Sequence, residues 1–433
     1  MNLGFQAIRS SVHYQKLKIC LLSYRSNPYS GGQGIYVKFL SKALVEMGHE
    51  VDVMSSEPYP ELDSRVKLIK IPGLNLFGKK NHVTAIRAKN LLSFTDFFEW
   101  FSMLTGGFPE PYTFGRRILK YFKKNTPCYD VIHDNQSLSF AILKLQEIGW
   151  PLITTIHHPI STDLKIAIEH EPRWQYRLLI NRWHSFLKMQ KKVAAQLNHV
   201  VTVSESSKKD IGSDFNVPLE NITVVHNGID TEIFSPQPKT PRAPYTIVAT
   251  ASADAPLKGL DYLLKAIAEL KNEFPTIQLN VIGKINEDGA SSRLIKELDL
   301  KDHVNFFSDL ETNEIVSLYA SATCAVVPSI YEGFGLPAAE AMACKVPVVS
   351  TDGGALPEVV GSAGLLVPAR NKAALKDAIS KFLHHPELRT EYAEKGRQRI
   401  VDNFSWQECA KQMEDLYRNV IQTADRNHGS RNY

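Results

Sequence analysis

Hydrophobic and polar positions along this chain alternate between two periods. "LKICLLSY" (17–24) is an apolar run of strand length, and the following "GIYVKFLSKALVEMG" repeats apolar residues every three or four positions, as a half-buried helix does. The alternation continues through "HEVDVMSS", "YDVIHD" with "SLSFAILKLQEIG", "PLITTIHH", "HVVTVSES" and "ITVVHNGID". Strand runs separated by helical runs predict a parallel sheet covered by helices. "SPQPKTPRAP" (235–244) is proline-rich and polar and reads as a linker. The pattern then restarts with "YTIVATAS", "GLDYLLKAIAELKNEF", "IQLNVIG" and "SRLIKELDL". "HVNFFSD", "ATCAVVPS", "VPVVST" and "AGLLVPA" supply further short strands. The expected fold is therefore α/β, with two tandem doubly wound domains over residues 17–234 and 245–405. An extension (1–16) precedes them; a helix (406–424) and a loose tail (425–433) follow. Ligands of such sheets sit outside the carboxyl ends of the strands, so the cleft between the domains is the expected site.

Composition narrows the class. A chain of 433 residues is long for one core, and 43% hydrophobic with 22% charged residues is ordinary for a globular protein. A net charge of +4 gives no argument for nucleic acid. The five cysteines have no metal-ligand spacing and read as reduced thiols, which points to the cytoplasm. The N-terminal residues have no apolar core of signal-peptide length, and no uncharged run is long enough to span a bilayer.

Polar residues at the predicted strand ends are the candidates for chemistry. "YSGGQG" puts Gly31, Gly32 and Gly34 between the first strand and a helix, where backbone amides can meet an anion or simply make a tight turn. Lys258, in "APLKGL", precedes a helix N-terminus, an unfavourable place for a cation unless an anion lies between them. In "SIYEGFGLPAAEAMA", Glu332 lies on a strand-to-helix loop and Glu340 among alanines and a methionine near a helix start. A carboxylate in such surroundings needs donors, and the hydroxyls of a polyol would supply them. His157 and His158 end another strand.

The motifs "GGQGIYVKFLSKAL", "HNGIDTEIF", "PLKG", "PSIYEGFGLPAAEAMACKVPVV" and "GGALPEVV" together resemble those of the family-4 retaining glycosyltransferases of the GT-B fold, over residues 17–417. The resemblance implies two Rossmann-like domains, with a nucleotide-diphosphate sugar, expected to be a UDP- or GDP-sugar, on the C-terminal one. Glu340 would accept from ribose hydroxyls, Glu332 from the transferred sugar, and Lys258 would grip the departing diphosphate. Backbone at Gly31, Gly32, Gly333, Phe334, Gly335 and Leu336 would position phosphate and sugar, and His157 would lie near donor and acceptor. No cofactor or metal is implied, and no D-x-D motif stands at a strand end. The last helix would cross back to the N-terminal domain. One departure stands out: the family's arginine five residues before the lysine is Ala253 here, so a bidentate phosphate donor is missing.

The N-terminal domain would bind the acceptor, a glycan, a lipid-linked sugar or a small molecule. The segments "LLSFTDFFEWFSMLTGGF" (91–108), "RRILKYFKK" (116–124) and "RWQYRLLINRWHSFLKMQKK" (173–192) are aromatic and basic. The expectation is that their apolar faces pack on the core and their basic faces meet solvent. Peripheral docking on anionic lipid at the inner face of a membrane is the alternative. A sugar-nucleotide epimerase of the same fold, or a scaffold that has lost catalysis with the arginine, are the alternative functions.

Overall fold

The computed structural model describes residues 15–27, 32–78, 86, 90, 92–251 and 254–429. Two all-parallel sheets organise them. The first comprises β1 (Lys18–Ser23), β2 (Glu50–Ser55), β3 (Lys67–Lys70), β4 (Val131–Asn135), β5 (Leu152–Thr155), β6 (Val200–Thr202) and β7 (Ile222–Val224), in the order β3-β2-β1-β4-β5-β6-β7. The second comprises β8 (Thr246–Thr250), β9 (Gln278–Ile282), β10 (Val304–Phe307), β11 (Cys324–Val327), β12 (Val348–Thr351) and β13 (Leu365–Val367), in the order β10-β9-β8-β11-β12-β13. In each sheet the strand order reverses beside the first strand, which opens a crevice between β1 and β4 and another between β8 and β11.

The central strands β4, β5, β6, β11 and β12 are buried along their whole length because helices cover both sheet faces. β1 buries Ile19, Cys20, Leu21 and Leu22, and its Leu21 stands beside Val53 of β2 and His133 of β4. The helix Gly32–Glu46 turns Tyr36, Val37, Leu40, Ala43 and Leu44 inward, and the helix Leu260–Leu270 does the same with Leu260, Leu263, Leu264, Ile267 and Leu270. Residues 235–244 form neither helix nor strand. The helix Trp406–Gly429 packs Trp406, Cys409, Ala410, Met413, Tyr417 and Val420 into the core that holds Leu17, Ile19 and Leu21. The Tyr417 hydroxyl lies 2.7 Å from Nδ1 of His133 in β4.

The two halves meet across their strand ends. Ser204 and Ser207 donate to the Gly333 carbonyl at 2.8 and 3.2 Å. The Glu358 carboxylate accepts from the amides of Glu205 and Ser206 at 2.8 and 2.7 Å, which caps the helix Glu205–Phe215 from the other domain. Tyr331 donates to Asp210 at 2.7 Å, and Arg370 forks onto Glu169 at 3.0 and 3.1 Å.

The aromatic segments depart from expectation. Residues 173–192 are not one helix: helix Trp174–Trp183 is followed by a 3-10 turn, His184–Phe186, and a second helix, Leu187–Ala194. The second helix buries Leu187, Met189 and Val193, whereas the first buries nothing. In the helix Phe94–Leu104 the inward face carries Glu99, Ser102 and Met103. The phenylalanines expected on the core, Phe94, Phe97, Phe98 and Phe101, face solvent instead. The reason is a competing partner: the Glu99 carboxylate accepts from Arg117 of the helix Glu110–Asn125 and from the Leu74 amide, and this fixes which face turns in.

Candidate active site

Lys258 and Glu332 come from the ends of β8 and β11, on either side of the crevice in the second sheet. Lys258 closes a 3-10 turn, Pro256–Lys258, that Gly259 ends in the left-handed region at φ 62°. A side chain on Gly259 would strike the carbonyl of Pro328, so glycine is required for this turn to reach the loop after β11. Lys258 Nζ then donates to Glu332 Oε1 at 2.7 Å, and Ser329 Oγ donates to the same oxygen at 2.7 Å. The anion that the lysine's position demanded is thus the second candidate residue itself. Both side chains remain partly open, 28% and 12% exposed.

Glu340 lies half-buried in the helix Leu336–Ala343, whose buried residues are Ala338, Ala339, Ala341, Met342 and Ala343. Its carboxylate accepts from the Tyr319 hydroxyl at 3.5 Å, a long contact, and Tyr319 in turn touches Thr250 at the end of β8 at 3.1 Å. Burial pushes the carboxyl up to about 7, against the smaller opposing effect of the tyrosine hydrogen bond. The segment between the two glutamates is packed tightly. A side chain on Gly333 would press on His158 and the His157 carbonyl at 3.0 and 3.1 Å, and the Phe334 ring packs in the core against His226 and Phe404. Gly335, at φ 101°, begins the helix, and Leu336 is its first residue.

From the first sheet, His158 and the His157 carbonyl meet this loop at Gly333, while the His157 ring turns to Asn135 and Tyr36. Its Nε2 lies 2.8 Å from Asn135 Oδ1, and its ring edge meets Tyr36 with centroids 4.8 Å apart. Asn135 donates its amide to Ser23 and to the Gln33 carbonyl, so its oxygen is the atom turned to His157, which assigns the ring proton to Nε2. Burial, helped by the neighbouring His158 and His133, pushes His157 down to about 3 and keeps it neutral. His158 differs. Burial opposes its charge, but the hydrogen bond to Asp163 at 3.3 Å, that carboxylate's charge and the charge of Glu332 outweigh burial and raise it. Neighbouring histidines, both placed by sequence at the same strand end, are thus held in opposite directions.

Gly32 is exposed at its helix start, with open space where a side chain would be, while the tight glycine of that turn is Gly34, packed against Asn27. Gly31 and Ala253 lie outside the described residues. Beside the histidines a pocket of about 270 Å³ opens at the ends of β1 and β5, lined by Tyr24, Arg25, Phe108, Ile160, Asp163, Trp183, His184 and Phe186. Four separate segments supply them: Phe108, Trp183, His184 and Phe186 belong to the aromatic segments marked in the sequence, whereas no local signal marked Tyr24, Arg25, Ile160 and Asp163. Arg25 is tied there to Glu110 at 3.1 Å.

The comparisons agree with this architecture. The family model of glycosyltransferase family 4 matches residues 30–233, and that of glycosyl transferases group 1 matches residues 232–399. The chain is 42% identical to the MMP alpha-(1->4)-mannosyltransferase of Mycolicibacterium hassiacum, over 94% of this chain and 98% of that protein. It is 26% identical to the D-inositol 3-phosphate glycosyltransferase of Corynebacterium aurimucosum, over 94% and 96%. Sucrose-phosphate synthase from Thermosynechococcus elongatus superposes with a TM-score of 0.72 at 25% identity, over 94% of this chain and all of that one. With two family models meeting at the start of the linker and a 42% identical relative matched nearly end to end, the protein belongs to the family-4 glycosyltransferases of the GT-B fold.

Proposed function

We propose that this glycosyltransferase moves a sugar, with mannose the first candidate, from a nucleotide-diphosphate sugar to a glycan hydroxyl with retention of configuration and without a metal. The observation that carries the reading is the Lys258–Glu332 pair at the β8–β11 crevice, one helix turn and a loop away from a carboxylate short of donors. Ribose hydroxyls are the donors that Glu340 lacks. Binding swaps partners at the pair: Lys258 turns from Glu332 to the diphosphate, and Glu332, still held by Ser329, accepts from a hydroxyl of the transferred sugar. Charge growing on the diphosphate as the glycosidic bond breaks then meets a fixed cation in a half-buried site, the arrangement that contributes most to such catalysis. In this reading, backbone at Gly32, Gly333, Gly335 and Leu336 and the neutral ring of His157 would border the bound donor. The aromatic pocket at the ends of β1 and β5 is the proposed acceptor site. Mannose is supported by the name of the 42% identical relative.

The test is a thermal-shift screen of the parent and of Lys258→Ala against GDP-, UDP- and ADP-sugars, followed by NMR of the product's anomeric proton. One nucleotide should stabilise the parent, and the product should keep the donor's configuration. A parent that no nucleotide-sugar stabilises, or an inverted product, would sink the reading.

A further inference from the structure

The helix Phe94–Leu104 is amphipathic in the reverse sense. Its solvent face carries Phe94, Phe97, Phe98, Phe101 and Leu104 at helical spacing, with Phe94 63% and Phe101 54% exposed. The helix Trp174–Trp183 lies beside it: Arg182 donates to Ser102 and Thr105 at 3.2 and 2.8 Å, and Leu179 reaches Gly106. It adds Trp174 (67% exposed), Leu178 and Leu179 to the same open apolar surface. More than half of the large exposed apolar side chains of the described residues stand on these two helices and Leu92. A patch of this kind marks an interaction site.

Charge selects the partner. Residues 92–125 and 171–192 hold eleven lysines and arginines against four carboxylates, while the whole chain has a net charge of only +4. The acids are already used: Asp96 and Glu99 hold Arg117, Glu110 holds Arg25, and Glu171 holds Arg173. Arg116 lies across the Phe94 ring at 5.1 Å, and Lys120 stands one turn further along the helix Glu110–Asn125, exposed. A second copy of the chain docking by twofold symmetry would press this positive face onto itself. No helix of the described residues is long and apolar enough to cross a membrane, so the surface can only lie on one.

We propose that this face docks on an anionic lipid bilayer, with the phenylalanines and leucines in the acyl boundary and the cations among the headgroups. Trp183 ends the second exposed helix and Phe108 follows the first by four residues; both line the aromatic pocket with ring centroids 5.1 Å apart, so docking holds the pocket at the bilayer surface. The proposal does not depend on the donor chemistry.

The test sediments the full chain with phosphatidylcholine vesicles, with or without one third phosphatidylglycerol. Binding should need the anionic lipid and should fade between about 0.1 M and 1 M salt, where the screening length falls from about 10 Å to 3 Å. Phe97→Ser with Phe101→Ser should lower partitioning about 100-fold through lost apolar burial. Arg116→Glu with Lys120→Glu should do so by a similar factor, about 100-fold, through charge. Both variants should melt near the parental temperature. Equal sedimentation with and without phosphatidylglycerol, or parental binding by both variants, would overturn the proposal. So would a solution mass twice that of the chain that the Phe97/Phe101 variant halves, because the face would then belong to a second copy.

Discussion

Two glutamates, one in each half of the molecule, point inward from helices with apolar neighbours, and they end up with opposite meanings. Glu99 is 2% exposed and saturated: the Leu74 amide donates to one oxygen at 2.9 Å and Arg117 to the other at 2.5 Å. Glu340 is half-buried and, among the described residues, has one hydrogen bond, a long one, from Tyr319. A buried carboxylate must be paid for with donors. Where the chain supplies them, the carboxylate holds structure. Where the chain withholds them, its carboxyl is pushed up to about 7 and awaits a ligand that brings hydroxyls.

The comparison breaks first at Arg117. Arg117→Ala leaves Asp96 and Glu99 without their cation, and removing one partner of a buried pair costs about 3–5 kcal/mol. Urea unfolding should register that loss, with donor affinity unchanged in the folded fraction; a loss below about 1 kcal/mol would show that Glu99 is as poorly satisfied as Glu340.

Lys258→Ala is next. It should lower turnover on the order of 100- to 1,000-fold with little change in the melting temperature. Lys258→Arg should rescue only part of this, because a planar guanidinium does not replace a compact ammonium. Turnover near the parental value in Lys258→Ala would place the phosphate cation elsewhere.

Glu340→Gln should leave the fold intact and weaken donor binding by about 1.5–3 kcal/mol, the worth of hydrogen bonds to a charged group. The pH dependence separates it from Glu99. A carboxyl raised to about 7 in the folded state, from an ordinary value of 4.5, binds more protons folded than unfolded between those values. Stability should therefore fall as pH rises from about 4.5 to 7, by about 1–3 kcal/mol, and Glu340→Gln should flatten that slope. Donor affinity should rise over the same range as the carboxylate ionises. An unchanged slope in the variant would remove the burial argument.

The smallest effect is expected from Ser329→Ala. It deletes one of two donors on Glu332 Oε1, and should cost about 1 kcal/mol in kcat/KM, roughly fivefold. No change would mean that Lys258 alone orients Glu332.

The strand runs of both domains were legible because continuous apolar stretches such as "KICLLS" and "CAVV" carry their burial in local composition. β3 was not: "KLIK" is short, lies at the sheet edge and is flanked by charges, so nothing local separates it from a loop. Lys258, Glu332 and Glu340 were legible from motif and strand-end position, yet their arrangement was not. That Lys258 spends its charge on Glu332, or that Tyr319 is the partner of Glu340, depends on side chains 74 and 21 residues apart.

By itself the sequence determined two parallel α/β sheets, the strand ends where chemistry collects and the period of the helices between the strands it marked, because each follows from residues within a few turns of one another. The direction in which a stripe faces was decided only in three dimensions. "FTDFFEWFSML" has a phenylalanine stripe and an acidic one, and periodicity alone turns the phenylalanines inward. Arg117, 18 residues from Glu99, gives the acids a partner that solvent cannot match at that burial, and the helix settles with its charges inside and its rings outside. A local pattern sets a helix's period, but the sign of its amphipathicity belongs to whatever it packs against.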